Sequence, residues 1–139
     1  MIIAIRIHGL VEIDGDVQEH LSRLRLRRKY SAVLLKNTKE NLHLLRQVRD
    51  FIAYGVVSEA DIEELISKRG QAVGNKKIDA KKIVAELKTK NLVEIDSIKP
   101  FFRLHPPRGG IDSKVHFPIR KGVLGDHGDK INLLLKRML

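Results

Sequence analysis

Isoleucine alternates with Ala4, Arg6 and His8 across residues 2–8, a period of two that predicts a strand with one buried face. Asp16, with Glu19 three residues on, has the spacing of a capping box for a first helix. Val17, Leu21 and Leu24 give that helix its apolar stripe. The run Arg23-Leu-Arg-Leu-Arg-Arg-Lys29 falls at its far end, where the helix dipole favours cations. Residues 31–36 are a short apolar run and predict a second strand. Thr38 caps the next helix, whose core face runs through Leu42, Leu45, Val48 and Ile52; Gly55 ends it, and Val56-Val57 form a short third strand.

Ser58 with Asp61 is a second capping signature, opening a helix through Ile62, Leu65 and Ile66 that stops at Gly70. Asp79 caps a further helix carrying Ile83, Val84 and Leu87, with Asn91 as its stop. Residues 98–104 return as a strand, residues 109–128 read as a glycine-rich and charged loop, and residues 129–138 form a last helix packing through Ile131, Leu134, Leu135 and Met138. The strand–helix–strand–helix–strand order of residues 1–57 predicts a small α/β or α+β sandwich, one sheet with helices on one face. Residues 58–96 read as a helical insert, and residues 97–139 as a basic extension returning to the body. There is no internal repeat and no heptad register.

Charge sharpens this division. The 139 residues hold 27 Lys and Arg against 17 Asp and Glu, a formal net charge of +10. Residues 1–57 hold 10 against 6, residues 58–96 hold 8 against 8, and residues 97–139 hold 9 against 3. A neutral middle between two basic ends places the ends against a polyanion and leaves the middle facing solvent or protein. Nucleic acid is the first partner this implies, an anionic membrane surface the second. No run approaches the roughly 18 apolar residues of a membrane span. The apolar start lacks a basic n-region and is too short for a signal peptide. Without cysteine there is no disulfide or thiolate metal site, which suits a cytosolic protein.

Two segments concentrate the cations. Arg23, Arg25, Arg27, Arg28 and Lys29 have no carboxylate partner nearby in sequence, and Lys36 and Lys39 lie one strand away. Cations in such density neutralise phosphates and release counterions. Arg23 and Arg27, one helical turn apart, share a face away from Leu21 and Leu24. The second segment, Arg103-Leu-His-Pro-Pro-Arg-Gly-Gly110, is barred by its prolines from helix interior and central strand. It reads as a rigid arm bearing Arg103, His105 and Arg108 and ending in a glycine swivel. Taken alone, a Pro–Gly cluster is an ordinary surface loop.

Other chemistry is thin. Residues 122–130 (Gly-Val-Leu-Gly-Asp-His-Gly-Asp-Lys) look like a phosphate-cradling loop opening a helix, with two overlapping Gly-x-x-Gly steps, but match neither a dinucleotide fingerprint nor a P-loop. A flexible connector is the plainer reading. The six histidines never fall at metal-ligand spacing. No nucleophile, base and orienting acid lie close in sequence, so neither an enzyme nor a cofactor is expected. Aromatic residues make up 4% of the chain, so recognition rests on charge and shape rather than base stacking.

Residues 23–49, the Phe-Arg-Leu-His-Pro-Pro-Arg-Gly-Gly arm and the ending Lys130-Ile-Asn-Leu-Leu-Leu-Lys-Arg-Met-Leu139 resemble the archaeal members of the ribosomal protein L-thirty family and the related eukaryotic L-seven. Bacterial members are similar only to the first part. The long basic leader of the eukaryotic relatives is expected to be absent. The resemblance implies a β-α-β-α-β core with a three-stranded antiparallel sheet and a structural, non-enzymatic role in the cytoplasmic large ribosomal subunit. Its implied partners are large-subunit rRNA near the 5S rRNA region and other large-subunit proteins, with no membrane and no small-molecule substrate. Carried onto this sequence, the contact surface comprises Arg23, Arg27, Arg28, Lys29, Lys36, Lys39, Arg103, His105 and Arg108; Lys114, Arg120 and Lys121 join on charge. The other classes weighed are a general nucleic-acid-binding, chromatin or RNA-chaperone protein and an enzyme acting on a phosphorylated substrate at residues 122–128.

Overall fold

Strand β1 (Ile2–Arg6) is buried at every position, not only at alternate ones. A computed structural model describes the chain apart from residues 10, 12, 76, 112 and 117–121, with only the backbone of residues 113–116. In it β1 lies between two antiparallel neighbours, β2 (Ser31–Leu35) and β3 (Ile52–Val56). Helices α1 (Gly15–Arg23) and α2 (Lys39–Gln47) connect these strands. They cover one sheet face, where Ile2, Ala4, Val33 and Tyr54 pack with Leu21 and Leu45. Helices α3 (Glu59–Arg69), α4 (Ala80–Leu87) and α5 (Ile131–Met138) line the other, packing Ile62, Leu65, Ile83 and Leu135 with Ile3, Ile5 and Leu34. The sheet thus has helices on both faces rather than one. A strand covered on both faces gains apolar burial from consecutive residues, on the order of 1.5–3 kcal/mol for each large aliphatic side chain.

The expected antiparallel core of three strands is present and is extended at both edges. On one side β4 (Phe102–Arg103) pairs antiparallel with β2, setting Ser31 opposite Arg103. On the other β6 (Gly122–Asp126) runs parallel to β3, with β5 (Ser113–His116) parallel beyond it. The full order is β4-β2-β1-β3-β6-β5. The reading of residues 109–128 as one loop is therefore corrected: a five-residue strand lies inside it, fixed by pairing with β3 that no local pattern announces.

Several helix ends follow their local chemistry. The side chains of Thr38, Ser58 and Asp79 accept backbone N–H bonds at the starts of α2, α3 and α4, and Gly70 closes α3. Asn91 ends the stretch after α4 by opening a short 3₁₀ turn at Leu92–Glu94. Three expectations fail. Asp14 rather than Asp16 precedes α1, leaving Asp16 in the first turn. Helix α2 ends at Gln47, so Ile52 belongs to β3. Gly55 is no helix stop but a strand residue beneath the start of α5: a Cβ there would stand 2.3 Å from the Gly128 carbonyl oxygen and 2.9 Å from Ile131.

Candidate nucleic-acid interface

Helix α1 stops at Arg23, and the rest of the basic run forms a turn between α1 and β2. The Leu26 N–H reaches the Leu21 carbonyl at 2.9 Å, and the Arg25 N–H reaches the Ser22 carbonyl at 3.0 Å. This pair of bonds is a Schellman cap, completed by apolar packing of Leu26 near Leu21. The cap places Arg25 in the left-handed region at φ 64°. Tyr30, at φ 65°, closes the turn from the other end. Arg27, Arg28 and Lys29, between them, are exposed. The expected helical face shared by Arg23 and Arg27 does not exist, because the Schellman cap ends the helix before Arg27.

Beneath this turn lies Arg6, whose relative exposure is 0%. Its guanidinium donates to the carbonyls of Leu26 (2.8 Å), His8 (2.8 Å) and Gly9 (3.0 Å) and to Oε1 of Gln18 on α1 (3.0 Å). The Arg6 carbonyl in turn accepts the Tyr30 N–H at 2.7 Å. Burial lowers the Arg6 pKa from its ordinary value. A planar fork with five donors serves all four acceptors at once, one more than the three donors of a lysine could. Arg6 thereby ties β1, α1 and both ends of the basic turn together. Pattern reading missed it by taking it for a residue on a wet strand face; a lone cation inside an otherwise apolar run was the available signal.

The arm meets the turn at the same sheet edge. Arg103 pairs with Ser31, and the Leu104 N–H donates to the Tyr30 carbonyl at 2.9 Å. Two cations lie over neighbouring rings, Lys29 Nζ 5.0 Å from the Tyr30 centroid and the Arg103 guanidinium 5.8 Å from that of Phe101. Beyond Leu104 the arm follows the end of α5. The His105 and Arg108 N–H groups donate to the Met138 and Arg137 carbonyls at 2.9 and 3.0 Å. Arg137 reaches back to the carbonyls of Arg108 (2.9 Å) and Gly110. The expected swivel is thus a closed turn: Gly110 N–H bonds to the Pro107 carbonyl at 3.0 Å, with Gly109 and Gly110 at φ 81° and 75°. Arg103, His105 and Arg108 are exposed and Pro107 is buried.

The structure therefore gathers Arg27, Arg28, Lys29, Arg103, His105 and Arg108 along one edge. No ion pair among the described residues engages Arg25, Arg27, Arg28, Lys29, Arg103 or Arg108. Arg23 differs from expectation, pairing with Glu19 one helical turn back at 2.6 Å, both exposed. Lys36 and Lys39 lie past the opposite end of β2, about 17 Å from Ser31 at the rise of a strand. Lys36 Nζ bonds to the Thr89 carbonyl at 3.4 Å, and Lys39 is exposed. The side chain of Lys114, and Arg120 and Lys121, lie outside the described residues. Residues 122–128, read as a flexible connector with a phosphate cradle as the alternative, are instead built on β6, whose residues from Gly122 to Gly125 are buried between β3 and β5. Among the described residues no His, Asp or Glu cluster has the geometry of a metal site, and no helix is long and apolar enough to cross a membrane.

Cations without an ion-pair partner among the described residues thus line a hydrogen-bonded edge of a small α+β domain, an arrangement of the class suited to a polyanion. No family model matches the chain. It is 34% identical to the large ribosomal subunit protein uL30 of Archaeoglobus fulgidus, with 99% of each chain covered. Identity is 37% to the protein of that name from Aeropyrum pernix, covering 97% of this chain and 96% of that one, and 34% to that of Methanococcus maripaludis, covering 97% of both. The chain belongs to the family of large ribosomal subunit protein uL30.

Proposed function

We propose that this protein is a structural, non-enzymatic constituent of the cytoplasmic large ribosomal subunit that clamps folded large-subunit rRNA through phosphate and shape contacts. Full-length similarity to proteins named as large ribosomal subunit components supports the subunit assignment. The observation that carries the mechanism is the shared edge, where the basic turn and the arm are joined by the Ser31–Arg103 pairing and the Leu104–Tyr30 hydrogen bond.

Arg27, Arg28, Lys29, Arg103 and Arg108 neutralise phosphates there, each without a carboxylate to displace first. His105, whose Nδ1–H donates to the Pro106 carbonyl at 2.7 Å, presents Nε2 as an acceptor for a ribose hydroxyl. Arg23 joins by exchanging its exposed Glu19 partner, a weak pair in water, for a phosphate. Lys39, with Lys36 held toward the residue 58–96 insert, forms an outlying contact at the far end of β2. Lys114, Arg120 and Lys121 complete the surface on charge. In this reading residues 1–57 are the rRNA-binding core, residues 97–139 supply the arm and its support, and the neutral insert faces solvent or protein. The resemblance of the turn and arm to archaeal relatives supports a position near the 5S rRNA region.

The test is binding to folded large-subunit rRNA in competition with duplex DNA. rRNA is expected to win, because a fixed edge fits one folded backbone; equal competition would instead mark a general nucleic-acid binder or RNA chaperone. Replacing Arg27 and Arg28 together by Ala should weaken rRNA binding by about tenfold or more. Its melting temperature should be unchanged, since both side chains are exposed. A loss of affinity matched by a lower melting temperature would make the two arginines structural and contradict the reading.

A further inference from the structure

Arg25 occupies the C′ position of the cap on α1, at φ 64°. Glycine is the usual residue there, because a Cβ in the left-handed region meets the following carbonyl. For an ordinary residue this conformation is strained. No described polar contact accounts for an arginine there. Its guanidinium has no described hydrogen bond, ion pair or ring contact. The packing that closes the cap comes from Leu21 and Leu26, not from Arg25. The carbonyl of the next residue, Leu26, is held by buried Arg6, so the backbone that carries Arg25 is fixed. Arg25 is half-buried, and a strained, half-buried residue whose guanidinium has no described polar partner leaves that group for an external ligand. The neighbouring Arg27, Arg28 and Lys29 give that ligand its charge.

We infer that Arg25 is a phosphate-binding residue of the rRNA interface, a fixed contact at the α1 side of the turn. This rests on the rRNA-binding reading above. The strain makes the proposal testable, because glycine removes the cation while easing the backbone. Arg25→Gly should melt no lower than the unaltered protein, bind large-subunit rRNA about tenfold more weakly and lower the salt slope of binding by roughly 0.7 to 0.9, the share of one phosphate. Arg25→Lys, which keeps the charge, should recover most of the affinity. Unchanged affinity in Arg25→Gly alongside weakened binding in the Arg27→Ala, Arg28→Ala variant would overturn the inference and leave the rRNA reading standing. Unchanged affinity in both would overturn the reading itself. A lower melting temperature for Arg25→Gly would overturn the inference differently, by showing that the arginine is needed for the cap.

Discussion

A buried arginine and a buried histidine serve this fold through their backbone partners. Arg6 compensates its desolvation entirely with carbonyl and amide oxygens, so it brings positive charge beneath the basic turn without a carboxylate to cancel it. His127 is the more exposed to pH. Its Nε2–H donates to the Val123 carbonyl at 2.6 Å, and burial, the largest influence, lowers its pKa from the ordinary 6.5; the Val123 bond and nearby Asp126 oppose that shift. A histidine whose pKa is depressed on folding takes up protons more readily when unfolded, so stability rises with pH through that window. Its contribution is whole above about 6.5 and is lost as pH falls toward the folded value. Thermal melts should therefore shift downward between pH 7.5 and pH 5.5, and His127→Gln should flatten that shift. A wild-type melting temperature that holds or rises over this range would contradict the assignment. Neither residue's role was legible in the sequence. Alternation placed Arg6 on a wet face, whereas α1 and the turn after it cover that face and supply the Gln18 and Leu26 acceptors.

Among the elements, those fixed by nearest neighbours were readable and those fixed across the chain were not. The caps at Thr38, Ser58 and Asp79 depend on a side chain and an N–H two or three residues away, and each stands where the spacing put it. Strand β6 has two glycines in five residues and owes its conformation to β3, some seventy positions earlier. The basic run was legible as a cluster, but its shape was not, because a Schellman cap built on arginine rather than glycine gives no signal. The arm was legible as rigid through its prolines, whereas its clasp by Arg137 joins segments 27 and 29 residues apart. That clasp yields a prediction at this scale. Arg137→Lys preserves charge but not the paired donation to Arg108 and Gly110. rRNA affinity should fall by about three- to tenfold, with the helical content of α5 unchanged by circular dichroism. Full affinity in this variant would mean that the clasp contributes nothing to presenting Arg108.

For the molecule as a whole, the sheet turns two basic segments, separated by some seventy residues, into one surface. Charge by segment had pointed to both ends of the chain. Antiparallel pairing of β4 with β2 puts them side by side, and in the reading proposed above they face the rRNA together. With no ion pair engaging these cations among the described residues, their neutralisation by phosphate releases counterions, and affinity should depend steeply on salt. The most direct measurement is the binding constant of the intact protein for folded large-subunit rRNA over a salt series. Contact with about six phosphates, at roughly 0.7 to 0.9 each, predicts that log K falls against log salt with a slope near −4 to −5. A slope near zero would contradict the electrostatic clamp.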